Sequence, residues 1–346
     1  MGRFIVGTND GKTRYQYVYG ATYDEAEQKL LIGLEIESRY LSGRAVPIKK
    51  VYEEWLCAVT HRVKESTLAN YRVKFERHIL PELGENICCD LTAGVVNRFI
   101  DKKLAEGLSA SYVRDIFTVF KSMLRYAQEE YGFKLSLKNV TLPKTEKKKA
   151  QKLDEREQKA LTAYLKANMD LTAFGILISL SMGLRIGELC GLKWSDIDFE
   201  KGLLHINRTV QRVCVKNGRD KTKLIISAPK SETSKRSIAI PDRLMEYFRK
   251  FRGSEDCYIL SADKMPTEPR TMQYRYKKIL KNAAINHHNY HQLRHTFATS
   301  CAEKGFDIKT LSVILGHSTV SLTLDRYVHP DHKHQRRLMN SMHMLI

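Results

Sequence analysis

No part of this 346-residue chain offers an apolar run long enough to cross a bilayer. The longest, residues 171–184, is broken by Thr172, Ser179 and Ser181 and reads as a buried helix. No charged start followed by an apolar core and a cleavage site opens the sequence, so nothing argues for export. The seven cysteines are odd in number and none stand in C-x-x-C spacing, which leaves reduced thiols acting mostly as small core residues in a cytosolic setting. A phosphate-binding loop is missing too: Gly7 and Gly11 are separated by three residues where that motif needs four, which excludes an NTPase. His287, His288, His291 and His295 are dense enough to suggest a metal, but Gln292 stands where a zinc-protease helix carries its glutamate. No carboxylate pair for a metal is evident, and neither a metal nor a cofactor is expected. Acidic charge is also scarce. Against 58 Lys and Arg there are 39 Asp and Glu, a formal net charge of +19 spread along the chain, so the natural partner is a polyanion, nucleic acid rather than a membrane surface.

What is present begins with aromatic runs at Phe4–Val6 and Tyr15–Tyr19, joined through the hairpin-type turn Asn9-Asp10-Gly11. Thr22 and Glu25 form a capping box, after which Ala26, Leu30, Ile32 and Leu34 partly line a helix. Residues 1–45 are thus expected to be a small β-rich unit closed by a helix, on which Lys12 and Arg14 can lie against DNA; a solvated edge sheet is the alternative. Residues 46–140 read as all helical. Ser66 and Thr67 start a helix carrying Tyr71, Arg72 and Lys74, and Ser109 caps another in which Val113, Phe117, Phe120, Leu124 and Ala127 form the apolar face. Hydroxyls at helix N-termini and basic outer faces suit phosphate oxygens, which makes Ser66, Thr67, Tyr71, Arg72, Lys74, Ser111, Arg114 and Lys121 the candidate DNA contacts; a solvated surface is the competing reading for each. Residues 141–152, TLPKTEKKKAQK, carry a proline and five lysines with no apolar period, as a linker does. Residues 153–346 then read as helices interrupted by a β-rich insert over 203–215, 224–228 and 237–240.

The chemistry gathers in YHQLRHTFATSCAEKGFDIKTLSVILGHSTVSLTLDRY, residues 290–327. His291 and Arg294, three apart at the start of a helical pattern, can leave the helix from one side. Asp307 caps the next helix, Gly316 sits where a left-handed C-terminal cap is wanted, His317 follows that stop directly, and a short helix after Ser318 delivers Tyr327. A plain helical hairpin with surface histidines is the alternative. Upstream, Arg185 and Glu188 stand one turn apart where a helix opens out of the apolar core, a place that holds a guanidinium rigidly for an oxyanion. Lys230 lies at a hairpin, where by itself it is one of many exposed lysines. Two arginines, two histidines, a lysine and a tyrosine suit a phosphodiester whose charge grows in the transition state. A phenol with a pKa near 10 needs a base and a positive field before it attacks, and His291 with the arginines can supply both.

Four separated motifs, GLRIGELCGLKWSDID, SAPKSETSKRSIAI, HQLRHTFAT and LGHSTVSLTLDRYVH, resemble those of the tyrosine recombinases (phage-type integrases), most of all those of conjugative transposons and prophages. STLANYRVKFERHILPELG is similar to the family's core-site DNA-binding domain, and the likeness runs over about residues 50–330. The fold this implies is mainly α with small β-sheets: an arm-binding domain of a small three-stranded β-sheet plus a helix (1–45), a helical core-binding domain (46–140), a linker (141–152) and a mixed α/β catalytic domain with a C-terminal tail (153–346). The resemblance implies that Tyr327 is the nucleophile, making a 3′-phosphotyrosine and releasing a 5′-hydroxyl, and that Arg185 and Arg294 clamp the phosphate. Lys230 would protonate the leaving oxygen, although Lys235 on the same hairpin aligns as an alternative. His291 would be base or phosphate ligand, His317 would hydrogen-bond the phosphate, and Glu188 would support the site from behind. It further implies double-stranded DNA partners at core and arm sites, a homotetramer exchanging tails over His329–Ile346, excision or bending accessory proteins, and a cytoplasmic, nucleoid-associated protein without a membrane partner. The expected activity is site-specific integration and excision of a mobile element through a Holliday junction. A multimer-resolving recombinase, a type IB topoisomerase and a basic DNA-binding regulator without catalysis are the competing readings.

Overall fold

The structure, a computed structural model, describes residues 2–9, 12–41, 45–145, 152–215, 222–229, 234–317 and 319–327, with positions 336 and 340. The chain divides into two compact units, Met1–Lys147 and Lys148–Ile346. No described helix is long and apolar enough to cross a membrane.

In the first unit β1 (Gly2–Asn9) pairs antiparallel with β2 (Lys12–Val18), from Gly2 opposite Val18 to Asn9 opposite Lys12, with a register shift between Ile5 and Gly7. The turn at 10–11 lies outside the described residues. The expected third strand is absent among the described residues, and the reason is local. Within four residues of β2 the Thr22 hydroxyl accepts the Glu25 N–H at 3.2 Å while Glu25 accepts the Ala21 N–H at 2.8 Å, a capping box that commits the chain to α1 (Tyr23–Leu41). On that helix Ala26 is buried, whereas Ile32 and Leu34, expected on its inner face, are exposed.

The same unit continues with α2 (Ile48–Thr60), α3 (Glu65–Lys74), a π-helical turn (Phe75–Ile79), α4 (Leu80–Leu83), α5 (Ala93–Ala105) and α6 (Ala110–Tyr131). Pro81 has no N–H to give the carbonyl one turn back, and the wider π turn sits just before it. Ser109 caps α6 by accepting the Tyr112 N–H at 3.3 Å, and Gly132, at φ 65°, ends it. Between those stops Val113, Ile116, Phe117, Phe120, Met123 and Leu124 recur at helical spacing and meet Ile48, Tyr52, Trp55 and Phe75 in one core.

The second unit opens with α7 (Glu155–Ala167), capped by Asp154, and α8 (Leu171–Met182), capped by Asp170. Helix α8 is buried nearly all round and forms the axis of the core, with Phe174 against Phe248 and Phe251. Then come α9 (Ile186–Cys190), strands β3 (Ile197–Asp198), β4 (Leu203–Ile206), β5 (Thr209–Cys214), β6 (Thr222–Ser227) and β7 (Arg236–Ala239), and helices α10 (Asp242–Phe251), α11 (Pro269–Asn282), α12 (His291–Glu303), α13 (Ile308–Leu315) and α14 (Val320–Tyr327). Strands β3, β4 and β7 form one antiparallel sheet, and β5 pairs with β6 in another. Helix α12 lies against α8 and α13, which brings residues far apart in sequence to one end of this unit.

Candidate active site

The site is built where two helices stop. Helix α8 ends at Gly183, whose φ of 67° turns the chain without a Cβ penalty. The Gly183 carbonyl accepts a hydrogen bond from Arg294 Nη1 at 2.9 Å. Helix α13 starts on Asp307, which accepts the Thr310 N–H at 2.8 Å, and stops at Gly316, φ 61°. The carbonyls of that stop are the hub. Ile314 accepts from Arg236 Nε at 2.6 Å, Leu315 from Arg294 Nη2 at 2.6 Å, and Gly316 from Arg185 Nη2 at 3.1 Å. Three cations at the negative end of a helix complement its unsatisfied carbonyls and dipole.

Arg185 caps α9 in extended conformation, and Glu188 folds back to accept its backbone N–H at 3.0 Å and its Nη1 at 2.7 Å. The Arg185 side chain remains 37 % exposed. Its side-chain bonds, Nη1 to Glu188 and Nη2 to Gly316, occupy two of the five N–H groups a guanidinium offers. Glu188 is 3 % exposed. Burial alone would raise its pKa, but the Arg236 hydrogen bonds and the charges of Arg236 and Arg185 outweigh it and hold the carboxyl down at about 2. Arg236 reaches both carboxylate oxygens, at 3.2 and 2.9 Å. Arg294, at 1 % exposure, is the largest fully buried side chain of the described residues and forms the floor of the site.

His291 begins α12, is exposed, and sets its ring edge-to-face on His295 with centroids 4.6 Å apart. His288, from the same histidine cluster, faces elsewhere: its Nε2 lies 2.9 Å from Glu157 and its Nδ1 3.1 Å from Gln292. His317 follows the Gly316 stop, its N–H bonding to the Ser312 carbonyl and its Nδ1 lying 2.8 Å from the Thr323 hydroxyl on α14. Tyr327 is the last residue of α14, one helical turn past Thr323. Its side chain, Lys230, and all of His329–Ile346 except positions 336 and 340 lie outside the described residues. Lys235, the alternative lysine, is described and exposed.

Sequence reasoning missed Arg236, and a signal was available. Ser234, Arg236, Ile238 and Ile240 are buried while Lys235, Ser237 and Ala239 are exposed, so a cation stands on the apolar phase of a strand. That placement calls for a buried partner.

Among the candidate DNA contacts of the first unit, Ser66 and Thr67 sit in the first turn of α3 rather than capping it, since the chain enters from Lys64. Ser111, in the first turn of α6, and Lys121 are exposed. Tyr71 leans on Trp55 at 5.2 Å, Arg72 is half-buried, and Arg114 donates to the Pro143 carbonyl at 3.1 Å. Lys74 departs from expectation: it is 5 % exposed, and burial lowers its pKa, because α3 turns that position toward the core. Lys12 and Arg14 lie on β2, with only their backbone described.

Residues 151–334 match the Phage integrase family, and residues 48–104 match the phage integrase N-terminal SAM-like domain. A tyrosine recombinase XerC-like protein of Caldanaerobacter subterraneus subsp. tengcongensis is 28 % identical over 92 % of this chain and 89 % of its own. The transposase from transposon Tn916 of Enterococcus faecalis is 27 % identical over 58 % of this chain and 51 % of its own. Among solved structures, the Tn1549 transposon integrase in complex with a circular intermediate DNA superposes with a TM-score of 0.69 at 19 % identity, covering 86 % of this chain and 99 % of that one. A lambda integrase dimer bound to a COC′ core site gives 0.63 at 19 % identity, over 82 % and 96 %. At such identities the likeness concerns the fold, a mainly helical molecule with small sheets.

Proposed function

This chain belongs to the phage integrase family, whose pattern spans more than half of its length, and from that premise we propose that it is a site-specific DNA recombinase, a tyrosine recombinase that integrates and excises a mobile element. The observation that carries the reading is the convergence of guanidiniums from three distant segments on the last carbonyls of α13, directly before His317 and one short helix before Tyr327.

In this reading the Tyr327 hydroxyl attacks the scissile phosphorus. The phenolic oxygen to phosphorus bond forms, the bond from phosphorus to the 5′-oxygen breaks, the phenolic proton passes to His291, and Lys230 gives a proton to the leaving 5′-oxygen. Arg185 and Arg294 stabilise the charge growing on the nonbridging oxygens. His317 donates to the same phosphate through Nε2 when the Thr323 hydroxyl donates to its Nδ1. The phosphotyrosyl ester retains the energy of the broken linkage, so rejoining to a second strand, through a Holliday junction, requires no nucleotide cofactor. Duplex DNA is the partner. Ser66, Thr67, Arg72, Ser111 and Lys121 contact the core site, residues 1–45 an arm site, and four copies assemble by exchanging their C-terminal tails, with accessory bending proteins guiding direction in the cytoplasm.

Incubation with a nicked suicide duplex carrying the element's end tests this: the wild-type chain should leave an SDS-resistant protein–DNA adduct and Tyr327→Phe none. A wild-type protein that binds but never forms the adduct would be a DNA-binding regulator instead. The XerC-like relative, aligned over most of both chains, favours multimer resolution as the second reading. Binding of a separate DNA sequence by residues 1–45 argues for the mobile element.

A further inference from the structure

Arg236 is a cation with almost no surface. Its side chain is 3 % exposed, and its nitrogens are bound to Ile314 O through Nε, to Ser234 O and Glu188 Oε1 through Nη1, and to Glu188 Oε2 through Nη2. It is therefore poorly placed to touch DNA. Its connection to the chemistry runs through Glu188.

The Glu188 carboxylate receives four hydrogen bonds, two on each oxygen. Oε1 accepts from Arg185 Nη1 at 2.7 Å and Arg236 Nη1 at 3.2 Å, and Oε2 accepts from the Arg185 backbone N–H at 3.0 Å and Arg236 Nη2 at 2.9 Å. An ionised carboxylate has about four lone-pair sites, so the two arginines saturate it between them. This division keeps Arg185 to one side-chain bond on Glu188 and leaves its Nη2 on the Gly316 carbonyl. Without Arg236, a buried anion with half its acceptor sites empty would face Arg185 alone, and a bidentate fork onto it would be the best geometry available to that guanidinium. Arg185 would be drawn down and away from the phosphate. Arg236 also fixes the Ile314 carbonyl of the same hub, from the first residue of β7.

We propose that Arg236 is a positioning residue for strand cleavage, which holds Arg185 in its phosphate-binding pose by taking half of the Glu188 carboxylate; this rests on the recombinase reading above. The alternative route, through the segment 228–235 that carries Lys230, makes a different prediction and can be separated by substrate chemistry.

The experiment compares single-turnover adduct formation on three suicide duplexes that differ only at the scissile position: the natural phosphodiester, a methylphosphonate without charge on its nonbridging position, and a 5′-bridging phosphorothiolate whose sulfur leaves without a proton donor. Arg236→Gln and Arg236→Lys are tested beside the wild type. A misplaced phosphate-binding group costs about 10²-fold, and that loss is expected for Arg236→Gln on the phosphodiester. On the methylphosphonate, which asks less of Arg185, the variant should approach the wild-type rate, and on the phosphorothiolate it should remain slow. Arg236→Lys keeps a charge against Glu188 and should show the same pattern with a smaller loss; it decides the matter if the glutamine variant fails to fold. An unchanged rate on the phosphodiester, equal losses on all three substrates, or recovery on the phosphorothiolate alone would each overturn the proposal. Failure of the wild type to form an adduct on the natural substrate would instead sink the recombinase reading.

Discussion

Glu188 sits between two guanidiniums at 3 % exposure, and its carboxyl is lowered from 4.5 to about 2. A group depressed on folding contributes stability above its unfolded pKa and loses that contribution as pH falls through its folded value. The window is therefore pH 4.5 down to about 2, and the shift corresponds to about 3 kcal/mol at 1.36 kcal/mol per unit. Urea unfolding at pH 7 and pH 3 should show the wild type losing stability that Glu188→Gln does not lose, whatever the remaining carboxylates do in both; parallel losses would remove Glu188 from this role. At neutral pH the glutamine variant should be weaker by about 3–5 kcal/mol, because Arg236 stays charged and buried with its partner gone. The sequence made Arg185 and Glu188 legible because both stand at a helix start straight out of an apolar run. Arg236 was hidden among neighbours typical of an exposed hairpin, Lys230-Ser231-Glu232-Thr233-Ser234-Lys235. Only the two-residue period of the strand it opens marks it as buried.

At the scale of an element, the stop of α13 governs the site, since three consecutive carbonyls there hold three arginines. Its start and stop were readable, Asp307 as an oxygen cap and Gly316 as a left-handed terminus, because both follow from local backbone chemistry. What those carbonyls would bind was not readable, since the donors come from residues 185, 236 and 294. The third strand of the N-terminal sheet is missing among the described residues for the converse reason: the aromatic runs fill two strands, and the Thr22–Glu25 capping box turns the chain to helix directly after them. Gly316→Ala tests the stop. A Cβ there would sit 2.9 Å from Arg236 Nη1, a group pinned on Glu188, and alanine at φ 61° costs about 1–2 kcal/mol besides. Gly305→Ala is the matched control, with φ 81° and no atom within 4 Å of the added carbon. Both variants should melt earlier, and only Gly316→Ala should also slow adduct formation; equal cleavage rates would mean that the stop does not hold the arginines in place.

Across the whole molecule, the net charge of +19 and the exposed hydroxyls and bases of the first unit suit a phosphate backbone. Affinity for duplex DNA should fall steeply with salt, by about 0.9 in log–log slope for each phosphate neutralised. Lys121→Gln, on the exposed side of α6, should flatten that slope by about one such unit. Lys74→Gln, buried on α3, should leave it unchanged; the reverse result would reassign which lysine meets DNA. The overall architecture was legible because four motifs keep their order across residues 183–329, and family membership rests on the same span. The most direct test concerns the covalent bond itself. Adduct trapped on a suicide duplex, digested with trypsin and nuclease and sequenced by mass spectrometry, should carry its nucleotide remnant on the peptide containing Tyr327. A remnant on another residue, or on no tyrosine at all, would contradict the account.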